Sequence, residues 1–426
     1  MDFPFAISDP QNRACRQRSL RVCLQWCGPL LSVAVLATSS MVLGSESSDD
    51  LVARLVQESQ KHVIPRDISP TDPLYQAENY AVGLAADVAE FNVWMLEIIK
   101  AYANRGDFNS AAYLAKRLPG SGKGMAHAEM AVFLAALPGR QAEAEPYLKV
   151  ALKELNQVSG LAAELMRARC ALALYHLGRK EEAVKMEDGL GKLELLSLNT
   201  QLQSADLLPT LTLLDAKRLL VTLTEPGSDE RKARFLLACA QQQFKKGNTE
   251  LALPFLEEIG TMSMEAGLPS AQRVLLDLAR TAHAGGQAKL ANKSMNLFLK
   301  CCEAYSDNVE WKALFLASAS EVLMEWKRHD EARAWLKVAE AAIPKIFVME
   351  APAAMLLIAQ QRERLDGAAA AEPLLLAVAR AGRSHTHPRF LAETAVRLCL
   401  HYNTLSRPVS AEVTKILNPA DVEVKD

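Results

Sequence analysis

The chain has 426 residues, half of them hydrophobic and 23% charged, the composition of a folded soluble protein long enough for several domains or one extended array. A formal net charge of −2, with no basic stripe along the body, excludes a nucleic-acid footprint. Aromatic residues are only 6%, and alanine and leucine dominate the apolar set. That bias suits packed helices better than sheets, because Ala and Leu lose least on entering a helix.

From the N-terminus, Arg13, Arg16, Arg18 and Arg21 precede an uncharged run from Val22 to Ser45, and Glu46, Asp49 and Asp50 follow it. Positive, then apolar, then small residues is the order of a secretory signal, with cleavage after Ser39 or Gly44. A retained anchor is the other reading, since 24 residues at 1.5 Å each span a bilayer core of ~30 Å. Both place the arginines inside and the body outside the cytoplasm. Residues 1–44 are therefore expected to be a signal peptide or N-terminal membrane anchor.

Residues 45–75 are expected to hold one short amphipathic helix over 48–64, with Leu51, Val52, Leu55 and Val56 on one face. A connector punctuated by Pro65, Pro70 and Pro73 follows it. Beyond it the pattern is helix after helix, without a convincing alternating strand.

A repeat runs through this body. A glycine followed five residues later by an alanine occurs at Gly106/Ala111, Gly139/Ala144, Gly178/Ala183, Gly247/Ala252 and Gly286/Ala291. Weaker copies stand at Lys327/Ala332, Asp366/Ala371 and Ser406/Ala411, and the alanines are spaced by 33, 39, 69, 39, 41, 39 and 40 residues. The gap of 69 predicts a degenerate unit near 202–223. Glycine closes one helix because it accepts the left-handed conformation of a helix end. The alanine lets the returning helix come close. A second small residue should then stand twelve positions earlier. Those positions hold Ile99, Val132, Ala171, Ala240, Ala279, Ser320, Ala359 and Cys399.

In this pattern the chain resembles the tetratricopeptide (TPR) family, most closely at Ala101–Ala111 (AYANRGDFNSA) and Leu172–Ala183 (LALYHLGRKEEA). The units are longer than the 34 residues of that family, and the proline that usually closes a unit is missing. Instead Pro146, Pro254 and Pro373 each fall two residues after the alanine. The resemblance implies an all-α, right-handed α-solenoid of about eight or nine antiparallel helix hairpins over 76–418, with a tail at 419–426. It also implies a concave face, lined by first helices, that binds a protein or peptide. On that face it places Lys100, Gln241, Lys245, Arg280, His283, Glu321 and Arg364, a mixed set that names no ligand class.

Other motifs point to no catalytic or metal chemistry. Leu118–Gly124 has glycines and a lysine, but Arg117 and Gly124 stand where a phosphate loop needs Gly and Ser/Thr. His385 and His387 lack a third ligand at a supporting spacing, and no Cys-x-x-Cys pair is present. Asn292 opens a glycosylation sequon inside an expected helix. No cofactor is expected.

The expectation is a non-enzymatic interaction scaffold or adaptor, exported or tethered, with a protein or peptide partner and no nucleic acid. The alternatives are a self-associating structural component and a carbohydrate-active helical toroid. A closed ring with two acids at its centre would distinguish the toroid, and an apolar outer face on residues 390–418 would distinguish self-association.

Overall fold

The computed structural model describes residues 68–224, 228–265, 268–304, 309–347, 351–385 and 387–418. The N-terminal sorting segment, the helix expected at 48–64 and the tail at 419–426 lie outside the described residues. Within them are nineteen α-helices and no strand, so the chain is all-α.

A short helix, α1 (Pro73–Ala81), comes first. Nine helix pairs follow, beginning with α2/α3 (Val88–Asn104, Phe108–Arg117), α4/α5 (Ser121–Ala136, Gln141–Leu155) and α6/α7 (Gly160–His176, Lys180–Glu187). Next are α8/α9 (Lys192–Ser204, Leu213–Leu220), α10/α11 (Ser228–Lys245, Thr249–Glu265) and α12/α13 (Leu268–Ala284, Ala288–Ala304). The last are α14/α15 (Val309–Glu325, His329–Ala342), α16/α17 (Ala351–Asp366, Ala368–Arg383) and α18/α19 (Pro388–Thr404, Ala411–Leu417).

The turns explain why the chain reverses where it does. At Gly106, Gly178, Asp206, Gly247, Gly286, Lys327 and Ser406 the backbone φ is positive. At each, the next residue's N–H bonds back to the carbonyl five positions earlier, at 2.7–3.3 Å. This is the Schellman closure, which satisfies carbonyls left open at a helix end. Asp206 belongs to the degenerate unit. Its connector is pinned to α10, with Gln242 and Gln243 donating to the Leu208 and Leu211 carbonyls and Lys246 to Thr210 Oγ1. Those extra residues delay the packed alanine to Ala216, which is why the step of five fails there.

Ala111, Ala144, Ala183, Ala252, Ala291, Ala332 and Ala371 are all essentially inaccessible. So are their expected counterparts Ile99, Ala171, Ala240, Ala279, Ser320, Ala359 and Cys399. Three expectations need correction. Asp366 is the last residue of α16, and Gly367 carries the positive φ instead. Val132 is only half-buried, because the Leu137-Pro138-Gly139 turn shifts the register and Ala131 takes the inner place. Ala411 is exposed, and Val413 fills the core of α19. Pro146, Pro254 and Pro373 are each the sixth residue of their helix and are exposed, so the missing N–H and the ring face water.

The first helices form a continuous inner layer. Each of α2, α4, α6, α8, α10, α12, α14, α16 and α18 packs on the next, and α18 packs on α2. The hairpins stack as in a solenoid, and the two ends of the stack meet to close a ring. One hydrophobic core accordingly joins residues 74–202 to residues 355–417.

The closure uses a substitution of helices. Beside α18, where a second helix belongs, lies α1, which also packs on α2; α19 packs on α17. Asp72 caps α1 by accepting from the Leu74 and Tyr75 N–H groups. Leu74, Ala77, Ala81, Leu84 and Ala85 are then buried. Full burial of each leucine is worth ~1.5–3 kcal/mol.

Candidate functional site on the inner face

The inner layer carries charged side chains on helices whose apolar residues are mostly buried. Arg280 of α12 is the hub. Its Nε lies 2.9 Å from Glu325 Oε2, its Nη2 3.6 Å from Glu321 Oε2, and its Nη1 3.7 Å from Asp277 Oδ1. Glu321 reaches onward to Arg364 Nη1. The chain Asp277–Arg280–Glu321–Arg364 thus ties α12, α14 and α16 together.

Burial raises the pKa of Asp277, against the opposing pull of Arg234 and Arg280. Yet 41% of its side-chain surface remains accessible. The carboxylate therefore stands on the inner face within reach of water, with the neighbouring helices removing part of its solvation. For Arg280, burial opposes the charge, and its hydrogen bond to Glu325 and the charges of Glu325, Glu321 and Asp277 outweigh it, so its pKa is raised.

The seven residues expected on this face fall into three groups. Arg280, Glu321 and Arg364 share the ladder just described, and His283 stands near it, its ring stacked on Trp326 at 4.8 Å. Gln241 and Lys245 form a second group on α10, where Gln241 Nε2 donates to Thr281 Oγ1 of α12 and Lys245 Nζ to the Ser204 carbonyl of α8. Lys100 is separate. It pairs with Glu97 at 2.8 Å and borders a hollow of about 70 Å³ with Glu129, Met130 and Phe133. Six of the seven therefore stand on the consecutive first helices α10, α12, α14 and α16, and Lys100 on α2 lies apart from them.

Sequence reasoning missed several inner-face partners. Asp277 and Glu325 complete the Arg280 cluster. Arg169 of α6 bridges Glu129 of α4 at 2.9 Å and Gln201 of α8 at 2.7 Å. Arg397 of α18 holds Glu393 at 2.7 Å and lies over the Trp94 ring of α2. The usable signal was opposite charge about one unit apart, as in Glu129/Arg169 and Arg280/Glu325.

The motifs set aside have structural employment. A Cβ on Gly122 would meet Asn92 at 2.5 Å and one on Gly124 would meet Met166 at 2.5 Å, so these glycines admit neighbouring helices. His387 caps α18 by accepting from the Arg389 N–H, and Asn292 accepts from Arg328. Five cysteines are free within the described residues, and burial raises the pKa of Cys170, Cys239 and Cys302 to about 12. No described helix is long and apolar enough to cross a membrane, and no described group of three His, Cys, Asp or Glu side chains could hold a metal ion.

Comparison of the chain with protein-family models, with curated proteins and with solved structures returned no match.

Proposed function

We propose that this chain is a non-enzymatic scaffold of TPR-like kind that holds a protein or peptide segment on the inner face of its ring. The observation that carries the reading is the water-accessible ladder from Asp277 to Arg364 across three first helices. Its alternating charges suit a partner with both signs, such as a polypeptide, better than a polyanion. The N-terminal order of charge, apolar run and small residues supports export or tethering, with the ring outside the cytoplasm.

The test is capture by the full chain from its native extracellular or envelope fraction, beside Lys245→Glu with Arg364→Glu. Both side chains are exposed, and Arg280 itself keeps Asp277 and Glu325 as partners. A partner held by the native chain and lost by the variant supports the reading. Equal retention by both removes the inner face from it.

Ring closure favours one second reading, a helical toroid acting on carbohydrate. Asp277 and Glu325 both reach the Arg280 guanidinium, which brings two acids together on the inner face of the ring, as such an enzyme requires. Arg280 between them counts against it, since it neutralises both acids. Release of sugar from a polysaccharide panel, abolished by Asp277→Asn, would establish this reading over the first. Self-association has less support at the expected place, because no large exposed hydrophobic occurs among the described residues of 390–418.

A further inference from the structure

The ring is continuous in packing but not in covalent connection. Loops link each hairpin to the next from α2 through α18, whereas the joint of α18 with α1 and α2 is held by contacts alone. Its apolar part sets Leu74, Ala77, Ala81, Leu84 and Ala85 against Ala395, Val396, Cys399 and Tyr402 of α18. Its rim is ionic. Arg105, which follows α2, pairs with Asp72 on its own side at 2.7 Å and reaches across to Asn403 of α18 at 3.5 Å. Arg389 of α18 lies 2.6 Å from Glu90 and 3.9 Å from Asp87, at the start of α2.

We propose that this seam is the joint at which the ring opens: α1 swings off α18 while the other hairpins stay folded, and a bulky partner then reaches the inner face from the side. In a repeat array each unit contacts only its neighbours, so breaking one interface sacrifices that interface and little else. No loop spans this joint, so it alone can part widely without stretching the chain. Opening concerns the ring itself and stands whichever occupant the inner face takes.

The seam also carries a proton-sensitive group. Glu90 is faced by Arg389 and Glu393 from α18 and by Asp87 at its own helix start. Burial, before any charge, pushes its carboxyl up to about 7. In the open state it returns to an ordinary glutamate. The closed ring therefore holds this proton more tightly. Closure is strongest below the ordinary glutamate range and weakens as pH rises through about 7. With the carboxyl at about 7 in the closed ring and ordinary in the open one, the opening equilibrium shifts by at most about 70-fold between pH 5 and pH 8.

Hydrogen exchange of the full chain, read by mass spectrometry at pH 5 and pH 8 after correction for intrinsic rates, tests this. Segments 73–86 and 388–404 are expected to exchange ahead of 351–383, and further ahead at pH 8. A Cβ at position 83 would stand 3.2 Å from that of Ala392, a few tenths of an ångström inside the disulfide range. Gly83→Cys with Ala392→Cys should therefore suppress the early exchange when oxidised and restore it when reduced. Glu90→Gln should keep the opening and flatten its pH dependence. Exchange of 73–86 only in step with 351–383 overturns the joint, and a pH dependence that survives in Glu90→Gln overturns the role of that carboxylate.

Discussion

The phenol of Tyr102 donates a 2.6 Å hydrogen bond to the carboxylate of Glu78, joining α2 to the helix before it. At the other end of the chain Tyr402 stands 3.5 Å from Glu372, joining α18 to α17. Each tyrosine lies four residues before its turn, and each glutamate lies on the preceding second helix. The repetition identifies α1 as the second helix of a unit whose first helix is α18.

Tyr102→Phe leaves the buried Glu78 carboxylate without this donor. The expected loss is ~1.5–3 kcal/mol, the range for a hydrogen bond to a charged group. A lowered urea midpoint at unchanged slope would register it, and an unchanged midpoint would show that the bond is dispensable.

The turn residues give a paired prediction of opposite sign. Gly247→Ala forces a Cβ into φ +76° and should destabilise by ~1–2 kcal/mol. Lys327 holds φ +60° with a side chain, so Lys327→Gly should stabilise, by ~1 kcal/mol at most. Thermal unfolding of the two variants beside the native chain checks both signs at once.

Close helix approach predicts a contrast between two alanines five residues into their repeats. Ala332 is fully buried and Ala411 is exposed. Ala332→Leu should overpack the hairpin and destabilise by ~1–3 kcal/mol, while Ala411→Leu should fall within ~0.5 kcal/mol of the native chain. Denaturant midpoints that move equally would remove the packing argument.

Two buried histidines predict acid sensitivity. Burial lowers the pKa of His127, and it also lowers that of His401 despite the nearby Glu363. The unfolded chain takes up these protons first, at about pH 6.5. Stability is therefore present above that pH and lost as pH falls below it. This loss has the opposite sign to that from Glu90. Unfolding midpoints from pH 7 to pH 5 should fall in the native chain and fall less in His127→Gln, whose amide does not titrate.

Much of the hairpin pattern was legible because it is local. A left-handed turn calls for Gly106 or Gly247 whatever surrounds it, and a close helix pair calls for Ala252 or Ala279. Where the local rule bent, the reading slipped by a residue, as at Gly367, or lost its alanine, as at Ala411. The inner-face residues were legible as positions but not as a site. Arg280 finds Asp277 one turn away, Glu321 and Glu325 on the next first helix, and Arg364 lies one helix beyond; only stacking brings them together.

The sequence by itself determined an all-helical chain, its turns and the small residues on which its helix axes meet, since these follow from backbone conformation and side-chain volume within one unit. The tertiary structure decided that the stack closes. Closure depends on the rotation between hairpins summed around nine of them, and no single turn or residue encodes that sum. It likewise decided that α1, before the repeats in sequence, completes the unit begun by α18, with Arg105 bridging Asp72 and Asn403 across the two ends.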